Sequence, residues 1–179
     1  MIRFLAALGI LLAFGIDAAL PAFDEIVADL PEATGRISLI GTVYFLGMAA
    51  GQLVFGPLSD RFGRRNALLA GMGLYAFGAI AAALASSFTL LLVARAIWGL
   101  GAASPAVLRV AIARDLYDGD QMAKVVTIVM AVFLIGPIVA PFLGEAILQV
   151  GSWRLVFTAA VALAALAAAA FVTQLLIPA

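Results

Sequence analysis

The chain has 179 residues, the length of one domain, yet 66% of them are hydrophobic and 11% charged, against about 45–50% and about 25% in soluble domains. So much apolar surface cannot be hidden at this size, and the solvent that fits it is lipid. Ten basic residues balance ten acidic ones, which argues against nucleic acid as a partner. Cys and His are both absent, which removes disulfides, thiolate chemistry and the commonest general base and metal ligand, so neither catalysis nor a cofactor or metal is expected.

A transmembrane helix needs about 20 largely apolar residues. The first candidate is Phe4–Ala22. Arg3 ahead of its apolar run and small residues near Ala22 also fit a signal peptide, but Asp17 and Pro21 suit a packed helix better. An acidic segment with Asp24, Glu25, Asp29 and Glu32 follows. The second span is Ile37–Pro57, and Gly56 to Arg65 reads as a short cytoplasmic turn. There Gly56 would allow close backbone approach, Gly63 would take tight-turn angles, and the Arg residues would meet lipid phosphates or carboxylates. The third span, Ala67–Ala85, and the fourth, Phe88–Ala111, are separated by a hinge at Ser86–Ser87, which predicts a tight antiparallel hairpin. Lys124–Leu148 and Arg154–Ile177 complete the set. Unbroken apolar runs exclude the alternation of a β-barrel. The expectation is an all-α polytopic membrane protein with six transmembrane helices and a single six-helix domain.

Basic residues set orientation. With Arg3, Arg61, Arg64, Arg65, Arg114 and Lys124 on one side and only Arg36 and Arg154 on the other, both termini are placed in the cytoplasm. A faint echo links Gly56-Pro57 before Gly63 and Arg64 to Ala140-Pro141 before Gly151 and Arg154. It would follow from two three-helix repeats of opposite topology, a habit of transporters.

Charge buried at membrane depth is costly, about 2.5–3.5 kcal/mol per residue on insertion scales, and marks candidate function. Asp17 and Arg95 are the clearest cases, each roughly 10 Å below the outer end of its span at about 1.5 Å per residue. Arg109, Arg114 and Asp115 lie near the inner face. Tyr44, Gln52, Trp98 and Phe133 either line a pocket for lipophilic ligands or pack between helices. Gly47 and Gly51 form a GxxxG, and Gly99, Gly101, Ala102 and Ala103 give the fourth span a small-residue face, both favouring close helix approach. Pro105, Pro137 and Pro141 are candidate kinks.

The string Gly56-Pro57-Leu58-Ser59-Asp60-Arg61-Phe62-Gly63-Arg64-Arg65 resembles the signature loop of the major facilitator superfamily, which also follows the second span. Phe14 to Pro21 resembles the aspartate–proline first helix of its drug:proton antiporters, and Arg95 to Ala103 their fourth-helix arginine–glycine motif. Arg109 to Asp120 is most similar to the bicyclomycin-resistance (Bcr/CflA) branch. Gly136-Pro137 through Pro141 to Gly144 resembles the antiporter motif, with Glu145 in place of its usual second glycine, and Trp153 to Phe157 resembles the entry to the sixth helix.

The resemblance implies one six-helix bundle of the major facilitator fold, built of two inverted three-helix repeats, where the family has twelve spans. It implies proton-coupled export of lipophilic small molecules by alternating access in the inner membrane. The second half would be a C-terminal half, a separate chain or a homodimer mate. It places spans one and four around one cavity, so that Asp17 and Arg95 would form a proton-coupling pair or a static ion pair. It also suggests that Asp115 meets Arg64 or Arg65 to lock the cytoplasmic side. Two other classes compete. A membrane-embedded enzyme is disfavoured by the absent His and the single deep aspartate, and a non-transporting scaffold by the cost of retaining Asp17 and Arg95; a truncated, inactive fragment is a further alternative.

Overall fold

Glycine and proline positions divide the apolar chain into its helices. The computed structural model describes residues 1–176; Ile177, the expected end of the sixth span, lies outside the described residues with Pro178 and Ala179, as do the side chains of Arg3 and of residues 173–176. The helices are α1 (Ile2–Asp17), α2 (Phe23–Asp29), α3 (Leu39–Phe62), α4 (Arg64–Ala83), α5 (Phe88–Leu116), α6 (Gly119–Leu148) and α7 (Trp153–Leu176), with single 3-10 turns at Leu20–Ala22 and Pro31–Ala33. Among the described residues, six segments are long and apolar enough to cross a membrane. The chain is a multi-pass all-helical membrane protein.

Two boundaries differ from expectation for local reasons. The first span does not run unbroken to Ala22, because α1 stops at Asp17 and gives way to a 3-10 turn opened by Leu20 and Pro21. Asp17 is therefore the last residue of its helix, not a mid-helix residue. The expected turn from Gly56 to Arg65 is mostly helix: α3 continues through Pro57 to Phe62, and Gly63 alone leaves helical geometry. At φ 86° and ψ 150°, Gly63 holds a conformation that a side chain would strain. Gly56 has open space where its side chain would be, so the close approach expected there is not made. The hairpin between α4 and α5 is as tight as expected, with the Ser87 hydroxyl capping the Leu90 N–H at 3.3 Å.

Helix pairing follows the small residues. A Cβ on Gly47 would overlap the Ala96 carbonyl, and one on Gly99 the Tyr44 carbonyl, so α3 and α5 touch backbone to backbone. Gly71 and Gly101 do the same between α4 and α5, against Ser104 and Tyr75. Gly136 and Gly144 of α6 meet Ala13 and Ala18 of α1. In lipid there is no hydrophobic drive between helices, and such close van der Waals contact is what holds them together. If α1, α3 and α4 form one repeat and α5, α6 and α7 the other, the α3–α5 and α1–α6 contacts are exchanged by the repeat symmetry.

The glycine contacts carry a direct expectation. Gly99→Ala forces α3 and α5 apart and should lower stability by about 1–3 kcal/mol, the range for overpacking. Gly73→Ala, with nothing near its added methyl, should be neutral or slightly stabilising through helix propensity. Thermal unfolding of the two variants in detergent checks this; equal midpoints would contradict the packing.

Candidate functional site

The break in α1 shapes the centre of the bundle. Ala18 N–H still donates to the Phe14 carbonyl at 3.2 Å. Four residues beyond Asp17, however, stands Pro21, which has no N–H to donate to the Asp17 carbonyl. Arg95 Nη1 reaches across from α5 to the Gly15 carbonyl at 2.9 Å, adding a cation at a helix C-terminus, where the helix dipole favours it. Tyr75 donates its hydroxyl to the Leu11 carbonyl at 2.9 Å one turn earlier. The Asp17 side chain is half-buried and has no ion-pair partner among the described residues.

The expected pairing of Asp17 with Arg95 is thus not formed. Arg95, 1% exposed, gives its Nε to the Ile40 carbonyl at 3.4 Å and its Nη1 to Gly15. Its guanidinium lies 4.5 Å from the Tyr44 ring centroid, 4.7 Å from Trp98 and 5.7 Å from Phe157. Two backbone carbonyls and three aromatic faces stand where a carboxylate was expected. Arg95 therefore ties α1 and α3 to α5 and holds the backbone two residues before Asp17.

Tyr44 and Trp98, expected candidates for a cavity wall, are instead buried as walls of the Arg95 box. Gln52 lies two turns along α3 and is exposed, so it does not join them. Phe133 belongs to a different cluster, 4.4 Å beneath the Arg109 guanidinium. Arg109 is 5% exposed, and its Nε and Nη1 are enclosed without an acceptor.

At the end of the bundle where α3 meets α4, the signature residues converge on Arg64. Its Nε donates to Asp115 Oδ2 at 3.0 Å and its Nη1 to Asp60 Oδ1 at 2.8 Å. Nη1 also bonds the Ser59 hydroxyl, which in turn donates to the Gly56 carbonyl at 2.7 Å. Of the two partners expected for Asp115, Arg64 is the one used. Arg61 lies over Phe62, while Arg65 and Arg114 are exposed. Gly63 makes the cluster possible, because its turn starts α4 with Arg64 facing the end of α5.

At the opposite end Asp29 accepts from Trp153 Nε1 at 3.1 Å and from Arg154 Nη1, while Arg154 Nη2 reaches the Ala85 carbonyl. Charge complementarity between an acidic outer segment and the basic residue opening the last span signalled this pair. In the sequence Arg154 was read for orientation, for the internal echo and for the entry to the sixth helix, and its pairing with Asp29 was not expected.

In α6, Pro137 and Pro141 sit within one continuous helix, as Pro105 does in α5. Glu145 is exposed, whereas its neighbour Gly144 makes the contact with Ala18, so the α1–α6 approach survives the departure from the antiporter motif. Between these helices lies an apolar cleft of about 160 Å³ lined by Ile10, Ala13, Phe14, Val132 and Gly136 among others. It went unnoticed in the sequence, because each wall residue alone looks like ordinary packing.

A bundle of membrane-crossing helices, joined backbone to backbone, with a broken first helix and a charged cluster at one mouth, is the build of a secondary transporter half. The Major Facilitator Superfamily model matches residues 5–179, and the chain belongs to that superfamily. It is 37% identical over 168 residues to a bicyclomycin resistance protein homolog of Haemophilus influenzae, covering 94% of this chain and 42% of that one. It is 36% identical over 162 residues to the multidrug resistance protein MdtL of Escherichia coli, covering 89% and 41%. The chain thus spans about two fifths of the length of these relatives. Among solved structures, the xylose transporter XylE of E. coli in a partially occluded inward-open state superposes with a TM-score of 0.85, at 16% identity over 99% of this chain and 49% of that one. At that identity the likeness concerns the fold.

Proposed function

We propose that the chain supplies the N-terminal six-helix bundle of a proton-coupled exporter of lipophilic small molecules, working by alternating access. The bundle sits in the inner membrane with both termini cytoplasmic. The observation that carries this reading is Asp17, a half-buried carboxylate without an ion-pair partner at the broken end of α1. A carboxylate in that place can take up and release a proton as its surroundings change. The relatives named for bicyclomycin and multidrug resistance support small-molecule export as the transported class. The Arg64–Asp115–Asp60 cluster then acts as the cytoplasmic latch that opens and closes with each cycle.

Alternating access needs a second bundle, supplied by further chain, by a separate chain or by a homodimer mate. The halves of this superfamily are parallel repeats about an axis along the membrane normal, so a two-fold dimer reproduces the arrangement. The test is reconstitution in liposomes with an imposed proton gradient and a lipophilic dye as substrate. Gradient-dependent dye movement is expected only from assemblies with two bundles. Equal transport at one chain per vesicle would overturn the half-transporter reading.

A further inference from the structure

The Arg109 side chain enters none of the hydrogen bonds and ion pairs seen among the described residues; it packs between helices only through the Phe133 ring and Gly9. It stands about 10 Å from the inner end of α5 at about 1.5 Å per residue, where α5 meets α1 and α6. Its neighbours there are Gly9 on α1 and Phe133 on α6: a Cβ on Gly9 would lie 3.2 Å from Nη1, and the Phe133 ring centroid is 4.4 Å from the guanidinium carbon. No carboxylate pairs with it among the described residues, and two of its nitrogens, Nε and Nη1, are enclosed with no acceptor. Arg95 shows how the same bundle treats an arginine that serves structure, giving it two carbonyl acceptors. Arg109 has none. Buried N–H groups are almost always satisfied, so an enclosed cation with empty donors calls for an occupant.

We propose that Arg109 is a binding site for the oxyanion of an amphiphilic organic acid, whose apolar body lies in the α1–α6 cleft. A guanidinium edge offers paired N–H donors that match a carboxylate, and its stacking on Phe133 keeps the plane fixed. The cleft begins one turn outward of this cluster: Ala13 follows Gly9 by one turn, Gly136 follows Phe133 by nearly one, and both line it. Arg109, Gly9 and Phe133 do not line the cleft, and α1 and α6 touch at Ala13 and Gly136, so the head reaches the guanidinium by a local parting of these helices about one turn from the tail. A lipid phosphate offers the same oxyanion chemistry, but Arg109 is 5% exposed and its unpaired nitrogens are enclosed where α5 meets α1 and α6, not on a surface that a headgroup reaches. The inference rests on the exporter reading, and narrows its substrates to lipophilic acids and zwitterions.

Binding, not transport, tests it. The purified chain is placed in nanodiscs of phosphatidylcholine and titrated with naphthoate and with its neutral counterpart naphthylmethanol. Naphthoate should bind at least about tenfold more tightly, a preference worth about 1.4 kcal/mol. Arg109→Gln should erase that preference, and Arg109→Lys should keep part of it. Equal binding of the two probes, or a preference that survives Arg109→Gln, overturns the proposal. Loss of naphthoate binding when phosphatidylglycerol is added at high salt, which screens the surface charge, identifies an anionic lipid headgroup as the occupant and overturns it too. Should Arg109→Gln not fold, Phe133→Leu carries the test: a several-fold weaker naphthoate affinity is expected, and an unchanged one defeats the assignment. A chain that binds naphthoate but transports nothing in any two-bundle assembly removes the exporter reading and leaves the site standing. Export of neutral compounds by a chain that never binds the acid does the reverse.

Discussion

Asp17→Asn is expected to reduce proton-driven efflux to background while leaving membrane insertion and the helical content unchanged. The substitution keeps the size of the side chain and its hydrogen-bonding reach but removes the exchangeable proton. The setting makes the effect large. The carboxylate ends α1 next to a helix break, is half-buried, and has no ion-pair partner among the described residues, so no neighbouring base is placed to take over. Folding should tolerate the amide because the Asp17 side chain makes no hydrogen bond or ion pair among the described residues. Efflux is measured in two-bundle assemblies with and without the gradient, alongside circular dichroism of the same preparation. Gradient-dependent efflux at the unmodified rate would remove Asp17 from the coupling machinery.

Arg95→Ala is expected to fail at folding, not at coupling. Removing the guanidinium takes from the Gly15 carbonyl, at the broken end of α1, its Arg95 donor, at about 1–3 kcal/mol for an unsatisfied group, and forfeits cation–ring contacts worth about 2 kcal/mol when desolvated. The total, on the order of 3–5 kcal/mol, lies toward the exceptional end of single substitutions. Arg95→Lys keeps the charge but has a single ammonium, which cannot reach both carbonyls while covering three rings, so an intermediate loss is expected. Thermal unfolding in detergent reads both. If Arg95→Ala unfolds like the parent protein and instead shifts the pH dependence of transport, the arginine acts on Asp17 by charge and the tethering role is wrong.

Large parts of this protein were determined by the sequence alone, because lipid imposes few solutions. A chain that cannot leave backbone groups unpaired in hydrocarbon must form helices, so apolar run lengths were enough to place six spans and to find Ser86–Ser87 as a hinge. The glycines of α3 and α5 announced close contact by their spacing, and the contact of Asp115 with Arg64 was implied by a motif. Only the tertiary structure decided the rest. Which groups surround a buried charge depends on helices far apart in the chain: Arg95 meets carbonyls from α1 and α3 and a ring from α7, and equal depth with Asp17 says nothing of that. Tyr44 and Trp98 became walls of that box, and Arg109 was left with empty donors, for the same reason. A periodic pattern shows which residues can share a face. The rotation of each helix against its neighbours, set by where glycines let two backbones touch, decides what that face meets.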